Sequence, residues 1–215
     1  MQTIKIESKF FNPKSTLECG QIFRYKPYKK GYLVFSLDKC CYLYEENGYT
    51  FIESDNASYF ENYFDIKRDY QKIYDEIKTF KNSFLDSALE YGKGIRILKQ
   101  DKIETIFSFI ISQNNNITRI KSIIEKLCES LGEEKSFMGE VYYSFPTVEK
   151  LALKDITFYR EIGLGYRDAY VYEFAKKLND GFDISHLDSL DTYALEKELT
   201  KIYGIGKKVA DCIFM

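Results

Sequence analysis

Two glycines and two lysines near residue 205 form a pattern suited to holding a phosphate. Gly204 and Gly206 interrupt an amphipathic run, and Lys207 and Lys208 open an apolar helical run. Glycine permits the positive φ that a tight turn between two helices requires. Because the first N–H groups of a helix have no intrahelical partner, the amides at this helix start should point into solvent. The pattern therefore indicates an anion site between two helices.

One of these lysines also has the chemistry of a nucleophile. A neutral lysine amine attacks an electrophilic carbon and forms a Schiff base. An ordinary lysine is protonated at neutral pH, and making it neutral there requires roughly 4 kcal/mol. The positive end of a helix supplies only about 0.3–1 kcal/mol, so desolvation and the neighbouring cation must supply the rest. Spacing alone leaves both interpretations open, a phosphate contact and a catalytic amine.

Three consecutive asparagines, Asn114 to Asn116, lie between two predicted helices. Apolar residues recur at helical spacing over 103–111, and a second helix is predicted from Ile117 to Leu131, with Gly132 as its stop. Asparagine side chains bond the local backbone, so helix caps are one interpretation. The other is that a short amide enters a nucleic-acid groove and fills the space left by an extruded nucleotide.

Composition restricts the classes of protein. The formal net charge is −2, so a case for nucleic-acid binding must rest on local clusters. The five cysteines contain no C-x-x-C pair, which favours a reducing, intracellular setting. With His186 as the single histidine, we expect no metal site. No apolar run approaches the roughly 20 residues of a membrane span, so we expect no membrane partner.

The periodicity of apolar residues changes along the chain and indicates an α+β protein. Residues 3–11, 32–37, 40–45 and 49–53 are strand-like, and Asn47-Gly48 is a hairpin signal. Helical spacing follows from residue 56, including an aromatic stripe that we expect in the core. We predict an antiparallel-sheet domain with helices over 1–92, and an all-helical domain over 93–215 after the Gly92-Lys93-Gly94 break.

Several motifs occur together in one order. They are Gly20-Gln-Ile-Phe-Arg24, Gly94-Ile-Arg-Ile-Leu-Lys-Gln-Asp101, Phe107-Ser-Phe-Ile110, Ser112-Gln-Asn-Asn-Asn-Ile-Thr-Arg119, Gly165-Tyr-Arg167 and Gly204-Ile-Gly-Lys-Lys-Val-Ala-Asp-Cys212. The set resembles the 8-oxoguanine DNA glycosylases, a family of the helix-hairpin-helix DNA glycosylase and AP lyase superfamily. A helical hairpin alone indicates only DNA binding, whereas this collinear set covers nearly the whole chain.

The resemblance implies the chemistry and the base recognition. Lys208 occupies the catalytic position and attacks C1′ of the damaged nucleoside, after which a Schiff base forms and β-elimination nicks the strand. Gly20 offers its carbonyl to the N7 proton of 8-oxoguanine, which guanine lacks. Cys212 lies near the base pocket, although a small buried hydrophobe is the simpler interpretation of that thiol. No metal or organic cofactor is implied, because lysine is the nucleophile.

The resemblance also implies the DNA contacts. Asn114 fills the gap in the duplex, while Arg119, together with Tyr166 and Arg167, contacts the unpaired base and wedges the opposite strand. The hairpin binds a phosphate through the residues Gly204, Gly206 and Lys207. The expected partner is double-stranded DNA that contains 8-oxoguanine, and the expected state is a monomer.

The resemblance is incomplete in one respect. The family's essential aspartate lies beyond the hairpin, and Asp211 falls inside the helix motif and is not that residue. We therefore expect the chain to lack the family's C-terminal end and to be inactive as it stands. Three alternatives remain: a glycosylase for another lesion, a non-catalytic DNA-binding module, and a helical interaction protein unrelated to DNA.

Overall fold

A computed structural model describes residues 1–213, and these form two compact units. The first unit consists of Met1–Phe35 and Lys39–Lys99, and the second of Ser36–Asp38 and the residues from Gln100 onward. The first unit thus continues past the boundary predicted at residues 92–93, because Arg96 and Leu98 are buried. None of the helices formed by residues 1–213 is long and apolar enough to cross a membrane.

In the described residues the first unit contains a five-stranded sheet with the order β1-β5-β4-β3-β2. The strands are β1 (Gln2–Glu7), β2 (Tyr25–Tyr28), β3 (Gly31–Ser36), β4 (Lys39–Glu46) and β5 (Tyr49–Ser54). The pairings of β1 with β5, β5 with β4 and β3 with β2 are antiparallel. Asn47 and Gly48 both have positive φ, 50° and 77°, which is the geometry of the tight hairpin that their sequence predicts.

Four α-helices complete the described first unit: α1 (Pro13–Glu18), α2 (Ala57–Tyr63), α3 (Tyr70–Lys78) and α4 (Ser83–Tyr91). The core joins the sheet to α1 and α2 through fully buried apolar side chains, among them Leu17, Leu43, Ile52 and Phe60. The aromatic stripe expected in the core departs from this pattern at Phe80, Phe84 and Tyr91, which are exposed. The helices predicted in this segment are present as α3 and α4, but no described element covers these three aromatic side chains.

Arg96 ties the last segment of the first unit to its core. The side chain is 1% exposed, and its guanidinium donates to the carbonyls of Phe10 at 2.9 Å and Asp65 at 2.5 Å. It also lies 4.4 Å from the centre of the Tyr70 ring. Burial lowers the pKa of Arg96, while the nearby Tyr70 and Asp65 oppose that shift. This buried cation gives the Gly94-to-Asp101 motif a structural role.

The described second unit is mainly helical. Its α-helices are α5 (Lys102–Ser112), α6 (Ile117–Leu131), α7 (Val148–Ala152), α8 (Ile156–Glu161), α9 (Asp168–Asn179), α10 (Thr192–Thr200) and α11 (Lys207–Ile213), and two 3₁₀ helices span Gly165–Arg167 and Ile184–Ser189. Helix α5 is buried on most sides and packs against α6, α9 and α11. It is therefore the central helix of this unit.

The prediction of an all-helical second domain is wrong in one place, although the α+β class is confirmed. Strands β6 (Glu134–Phe137) and β7 (Glu140–Tyr143) form an antiparallel hairpin. Its turn consists of Met138 and Gly139, with φ of 52° and 84°. The segment is short, and it was missed because its alternation of buried and exposed residues extends over only four residues on each side.

Candidate active site and nucleic-acid interface

The helical hairpin of the second unit is formed by α10, a turn at residues 201–206 and α11. Ile202 and Ile205 are buried and anchor the turn, and the Ile205 N–H donates to the Ile202 carbonyl at 2.9 Å. Gly204 has φ +88°, and a Cβ at this position would lie 2.3 Å from the Tyr170 ring. The glycine is thus required both by its backbone conformation and by close packing on an aromatic ring.

Replacing Gly204 by alanine is expected to destabilise the protein by at least about 2 kcal/mol, since it combines left-handed strain with overpacking. Gly206→Ala is the matched control, because a Cβ there meets no atom within 4 Å. We expect the control to cost less than about 1 kcal/mol, the scale of a helix-cap change. Urea denaturation followed by circular dichroism measures both, and equal losses would contradict this account of the turn.

The start of α11 has the free amides that its sequence predicts. The first N–H groups that donate to backbone there are those of Val209 and Ala210, both to the Gly206 carbonyl at 3.0 Å. The amides of residues 206–208 make no hydrogen bond within the described part of the chain. These free donors and the lysines beside them have the composition expected of a phosphate contact.

The two lysines of the hairpin differ in their surroundings. Lys207 is exposed, and its Nζ lies 3.5 Å from Glu196 Oε1 on α10. Lys208 is also exposed, and among residues 1–213 it makes no ion pair. Cys212 is half-buried one turn further along α11. The desolvation that a nucleophilic lysine needs is therefore not supplied by the described residues themselves.

The asparagine triplet divides into two structural residues and one free residue. The Asn116 side chain accepts from the Arg119 N–H at 2.9 Å and caps α6. The Asn115 side chain donates to the Ile111 carbonyl at 3.2 Å at the end of α5. Asn114 is exposed, has φ +45°, and its side chain has no hydrogen-bond partner within residues 1–213. Asn115 and Asn116 thus make the local backbone bonds of the first interpretation, and entry of Asn114 into a nucleic-acid groove stays a prediction.

Arg119 and Tyr166 lie near Asn114. Arg119 is exposed, and its Nη2 donates to the Gly163 carbonyl at 3.2 Å. Tyr166 belongs to a short 3₁₀ turn, Gly165–Arg167, and is 53% exposed. Its hydroxyl donates to the Gln113 carbonyl at 3.4 Å. The structure therefore brings Arg119, Tyr166 and Asn114 together at one corner of the second unit.

Arg167 does not share this exposure. The side chain is 4% exposed, and its guanidinium donates to the main-chain carbonyls of Gln113, Asn114 and Leu164. The resemblance implies that Arg167 contacts the unpaired base. Its buried position does not test that role, which stays a prediction.

Tyr170 and Tyr203 were not predicted as site residues. Their ring contacts link Tyr166, which lies near Asn114, to the helical hairpin. Tyr170 contacts Tyr166 edge-on at 5.9 Å between ring centres, and Tyr203 edge-on at 4.9 Å. Tyr203 is 61% exposed and directly precedes Gly204. The four-residue spacing from Tyr166 to Tyr170 was a signal for the first contact. Nothing in the sequence indicated that Tyr170 would support the glycine turn.

In the first unit, Gly20 lies in a turn that a buried glutamine holds. Gly20 has φ +95°, and no hydrogen bond reaches its carbonyl from the described residues. The Gln21 amide nitrogen donates to the carbonyls of Thr16 at 3.0 Å and Arg96 at 2.8 Å, and its oxygen accepts from the Leu98 N–H at 3.0 Å. Gln21 was missed as a site residue, although its position next to Gly20 marks it.

In the part of the chain that the structure describes, no group of three or more His, Cys, Asp or Glu side chains is placed to hold a metal ion.

The fold is that of known DNA glycosylases. A solved 3-methyladenine DNA glycosylase from Archaeoglobus fulgidus superposes with a TM-score of 0.75 at 18% identity, which concerns the fold alone. A structure of MBOgg1 in complex with a low-affinity DNA ligand is 34% identical, with a TM-score of 0.90. That match covers 99% of this chain and 75% of the other.

Similarity over the whole chain defines the family. The apo 8-oxoguanine glycosylase/lyase of Clostridium acetobutylicum is 31% identical over 100% of this chain and 77% of its own, with a TM-score of 0.91. Residues 3–106 match the model of the 8-oxoguanine DNA glycosylase N-terminal domain. The chain belongs to the 8-oxoguanine DNA glycosylase family.

Curated relatives extend the similarity to proteins of other organisms. The N-glycosylase/DNA lyase of Saccharomyces cerevisiae is 38% identical over an alignment of 151 residues, and the match covers 62% of this chain and 40% of the relative. A probable N-glycosylase/DNA lyase of Methanothermobacter thermautotrophicus is 30% identical over 72% of this chain and 55% of its own. The chain thus spans about half the length of these curated relatives, or less.

Proposed function

We propose that the protein is a bifunctional DNA glycosylase and AP lyase that excises 8-oxoguanine from duplex DNA. The observation that carries the proposal is the position of Lys208 beside the free amides at the start of α11. It lies within a chain that is similar over its whole length to an 8-oxoguanine glycosylase/lyase. The free amides of residues 206–208 and the Lys208 amine, which belongs to the same first turn of α11, suit a sugar-phosphate substrate.

In the proposed reaction the lone pair of the neutral Lys208 Nζ forms a bond to C1′ of the damaged nucleoside. The glycosidic bond breaks, and its electron pair leaves with the base, which takes up a proton. Opening of the sugar ring then gives a Schiff base between Nζ and C1′. Loss of a C2′ proton expels the 3′ phosphate and nicks the strand. The nucleophile is a side chain throughout, so the proposed step uses no metal or organic cofactor.

Gly20 is the proposed reader of the lesion. Its carbonyl is free in the described residues, and Gln21 holds the turn that carries it. A fixed acceptor favours 8-oxoguanine, which has a proton on N7, and penalises guanine, which presents a lone pair there. Leaving a buried acceptor without a donor in this way costs about 1–3 kcal/mol. Cys212 is proposed as a small, half-buried wall of the base pocket.

Double-stranded DNA is the proposed partner. The Clostridium acetobutylicum relative has been crystallised with DNA that contains cytosine opposite 8-oxoguanine. In this chain we assign Asn114 to the gap in the duplex, and Arg119 and Tyr166 to the bases beside it. A phosphate is assigned to the hairpin residues Gly204, Gly206 and Lys207. A monomeric state and an intracellular location stay predictions of the sequence.

Excision from a panel of duplexes tests the proposal, with protein expressed from the complete reading frame. The panel contains 8-oxoguanine, guanine, 3-methyladenine and uracil, each opposite its usual partner, and borohydride is added to trap a Schiff base. We expect excision and a covalent adduct with the 8-oxoguanine duplex and neither with guanine. Preferential release of 3-methyladenine would instead establish another lesion as the substrate.

A non-catalytic DNA-binding module is the second candidate function, and the exposure of Lys208 favours it. Such a module binds the duplex with the usual salt dependence but forms no covalent adduct. The same panel separates the two candidates, because binding without any borohydride-trapped adduct would leave only the module. Absence of salt-dependent binding would exclude both and leave a helical interaction protein.

A further inference from the structure

Three tyrosines of the second unit form a continuous series of ring contacts, which we call the tyrosine row. Tyr166 contacts Tyr170 edge-on at 5.9 Å between ring centres, and Tyr170 contacts Tyr203 edge-on at 4.9 Å. The two outer tyrosines are 53% and 61% exposed, and Tyr170 is half-buried between them. Edge-on contacts orient a ring without covering most of it, so the outer rings are held in place and are still accessible.

The backbone on both sides of Tyr203 is fixed by packing. Ile202, which precedes it, is 2% exposed. Gly204, which follows it, lies so close to Tyr170 that a Cβ would be 2.3, 2.6 and 2.7 Å from three atoms of that ring. The direction of the Tyr203 side chain is therefore set by a packed turn and by its contact with Tyr170, although the side chain itself is mainly exposed.

The hydroxyl of Tyr203 makes no hydrogen bond within residues 1–213, whereas the hydroxyl of Tyr166 donates to the Gln113 carbonyl at 3.4 Å. The two nearest lysines in sequence, Lys201 and Lys207, each lie near a carboxylate of α10, at 2.5 and 3.5 Å. A tyrosine that mainly stabilises a fold buries its ring and bonds its hydroxyl. Tyr203 does neither, which leaves an oriented hydroxyl available to a partner molecule.

The proposed function places a DNA strand beside this hydroxyl. It assigns Tyr166 to the bases next to the opened pair, and a phosphate to Gly204, Gly206 and Lys207. The tyrosine row runs from the first assignment to the second, so a strand that satisfies both passes beside Tyr203. Consecutive Cα atoms are about 3.8 Å apart, and each strand advances about 3.4 Å per nucleotide. Tyr203 therefore reaches the assigned phosphate or the nucleotide next to it.

We propose that Tyr203 is a further DNA contact, whose hydroxyl donates to a phosphate oxygen of the strand that the hairpin binds. This inference rests on the proposed function, because that function supplies the position of the duplex. Tyrosine is among the side chains that bond phosphate oxygens, and such contacts fix the register of a protein on DNA without reading the sequence. A hydrogen bond to a charged oxygen is also stronger than one between neutral groups.

A cycle between protein and DNA tests the contact. Wild type and Tyr203→Phe, from the complete reading frame, bind a duplex with an uncleavable tetrahydrofuran abasic site. In that duplex one phosphate at a time is replaced by a neutral methylphosphonate. We expect Tyr203→Phe to weaken binding of the unmodified duplex about tenfold, but by less than about threefold when the contacted phosphate is the one replaced. Equal affinities for the unmodified duplex, or a tenfold loss at every replaced phosphate, would overturn the proposal.

A second tyrosine and the salt dependence supply the controls. Tyr193→Phe removes the hydroxyl of a 78% exposed tyrosine on α10 and is expected to change affinity by less than about twofold. Lys207→Gln should lower the slope of log affinity against log salt by about one, whereas Tyr203→Phe should leave the slope unchanged, because a neutral hydroxyl releases no counterion. A lowered slope in Tyr203→Phe, or an equal loss in Tyr193→Phe, would contradict a hydroxyl contact at this position.

Urea unfolding separates the contact from a role in stability. Tyr203→Phe keeps the ring that contacts Tyr170, so we expect its unfolding midpoint to equal that of the wild type. A lower midpoint together with a uniform loss of affinity would assign Tyr203 to the stability of the turn and overturn the proposal. Wild-type protein that binds the duplex without excising 8-oxoguanine would refute the proposed enzyme alone, since the Tyr203 result is read from binding.

Discussion

Replacing Lys208 by glutamine is expected to abolish the borohydride-trapped adduct and to slow base release by about 10³-fold or more. Glutamine keeps the polarity and much of the length of the side chain. Its amide nitrogen is delocalised, however, and can neither attack C1′ nor form an iminium bond. The measurement is single-turnover excision from an 8-oxoguanine duplex, followed by borohydride trapping and denaturing electrophoresis, with protein from the complete reading frame.

Lys207→Gln is the matched control for this experiment, because the two lysines are adjacent and both exposed. Loss of a phosphate contact should weaken DNA binding by about tenfold or less and leave the adduct intact once the duplex saturates the protein. An adduct that persists in Lys208→Gln and disappears in Lys207→Gln would assign the chemistry to the other lysine. An adduct that persists in both would remove the hairpin from catalysis.

Replacing Arg96 by methionine is expected to lower the free energy of unfolding by about 3–5 kcal/mol, because at least two buried carbonyls lose their donor at roughly 1–3 kcal/mol each. Methionine fills similar space but leaves the carbonyls of Phe10 and Asp65 without their donor. The Arg96 carbonyl itself accepts from Gln21, so the turn that carries Gly20 should loosen as well. Thermal and urea unfolding followed by circular dichroism measure the loss.

Arg68→Met is the control for Arg96, because Arg68 pairs with the carboxylate of the same Asp65 at 2.5 Å from a largely exposed position. Lys99 remains on that carboxylate at 2.6 Å in both variants. We expect the control to cost less than about 1 kcal/mol, since exposed ion pairs contribute little. If both variants lost equally little free energy of unfolding, water or other donors would have to satisfy the carbonyls of Phe10 and Asp65.

The sequence predicted local conformations well where residue type alone restricts the backbone. Asn47-Gly48 adopts the predicted hairpin turn, and Gly204 adopts a positive φ before the second helix of the hairpin. The order of elements, strands first and then helices, was predicted from the change in the spacing of apolar residues along the chain. That spacing depends on the geometry of strands and helices and not on their packing. The β6–β7 hairpin was not predicted, because its strands are too short to show an alternation of apolar and polar residues.

Exposure was predicted less well, because it depends on what other elements cover. Phe84 and Tyr91 have the spacing of core residues and are exposed. Arg167 has the chemistry of a surface contact and is buried. In each case the residue type was compatible with either environment, and the arrangement of distant segments made the choice. Tyr170 is a similar case, since its contact with Gly204 joins segments far apart in sequence.

The sequence by itself determined the family and the order of the motifs, because side-chain chemistry and short spacings are properties of the chain. Only the tertiary structure decided which asparagine is free and which arginine is committed to carbonyls. It also showed that Lys208 is exposed in the described residues. The physical reason is that hydrogen-bond satisfaction and desolvation depend on neighbours brought together by folding, and those neighbours are not readable from local sequence.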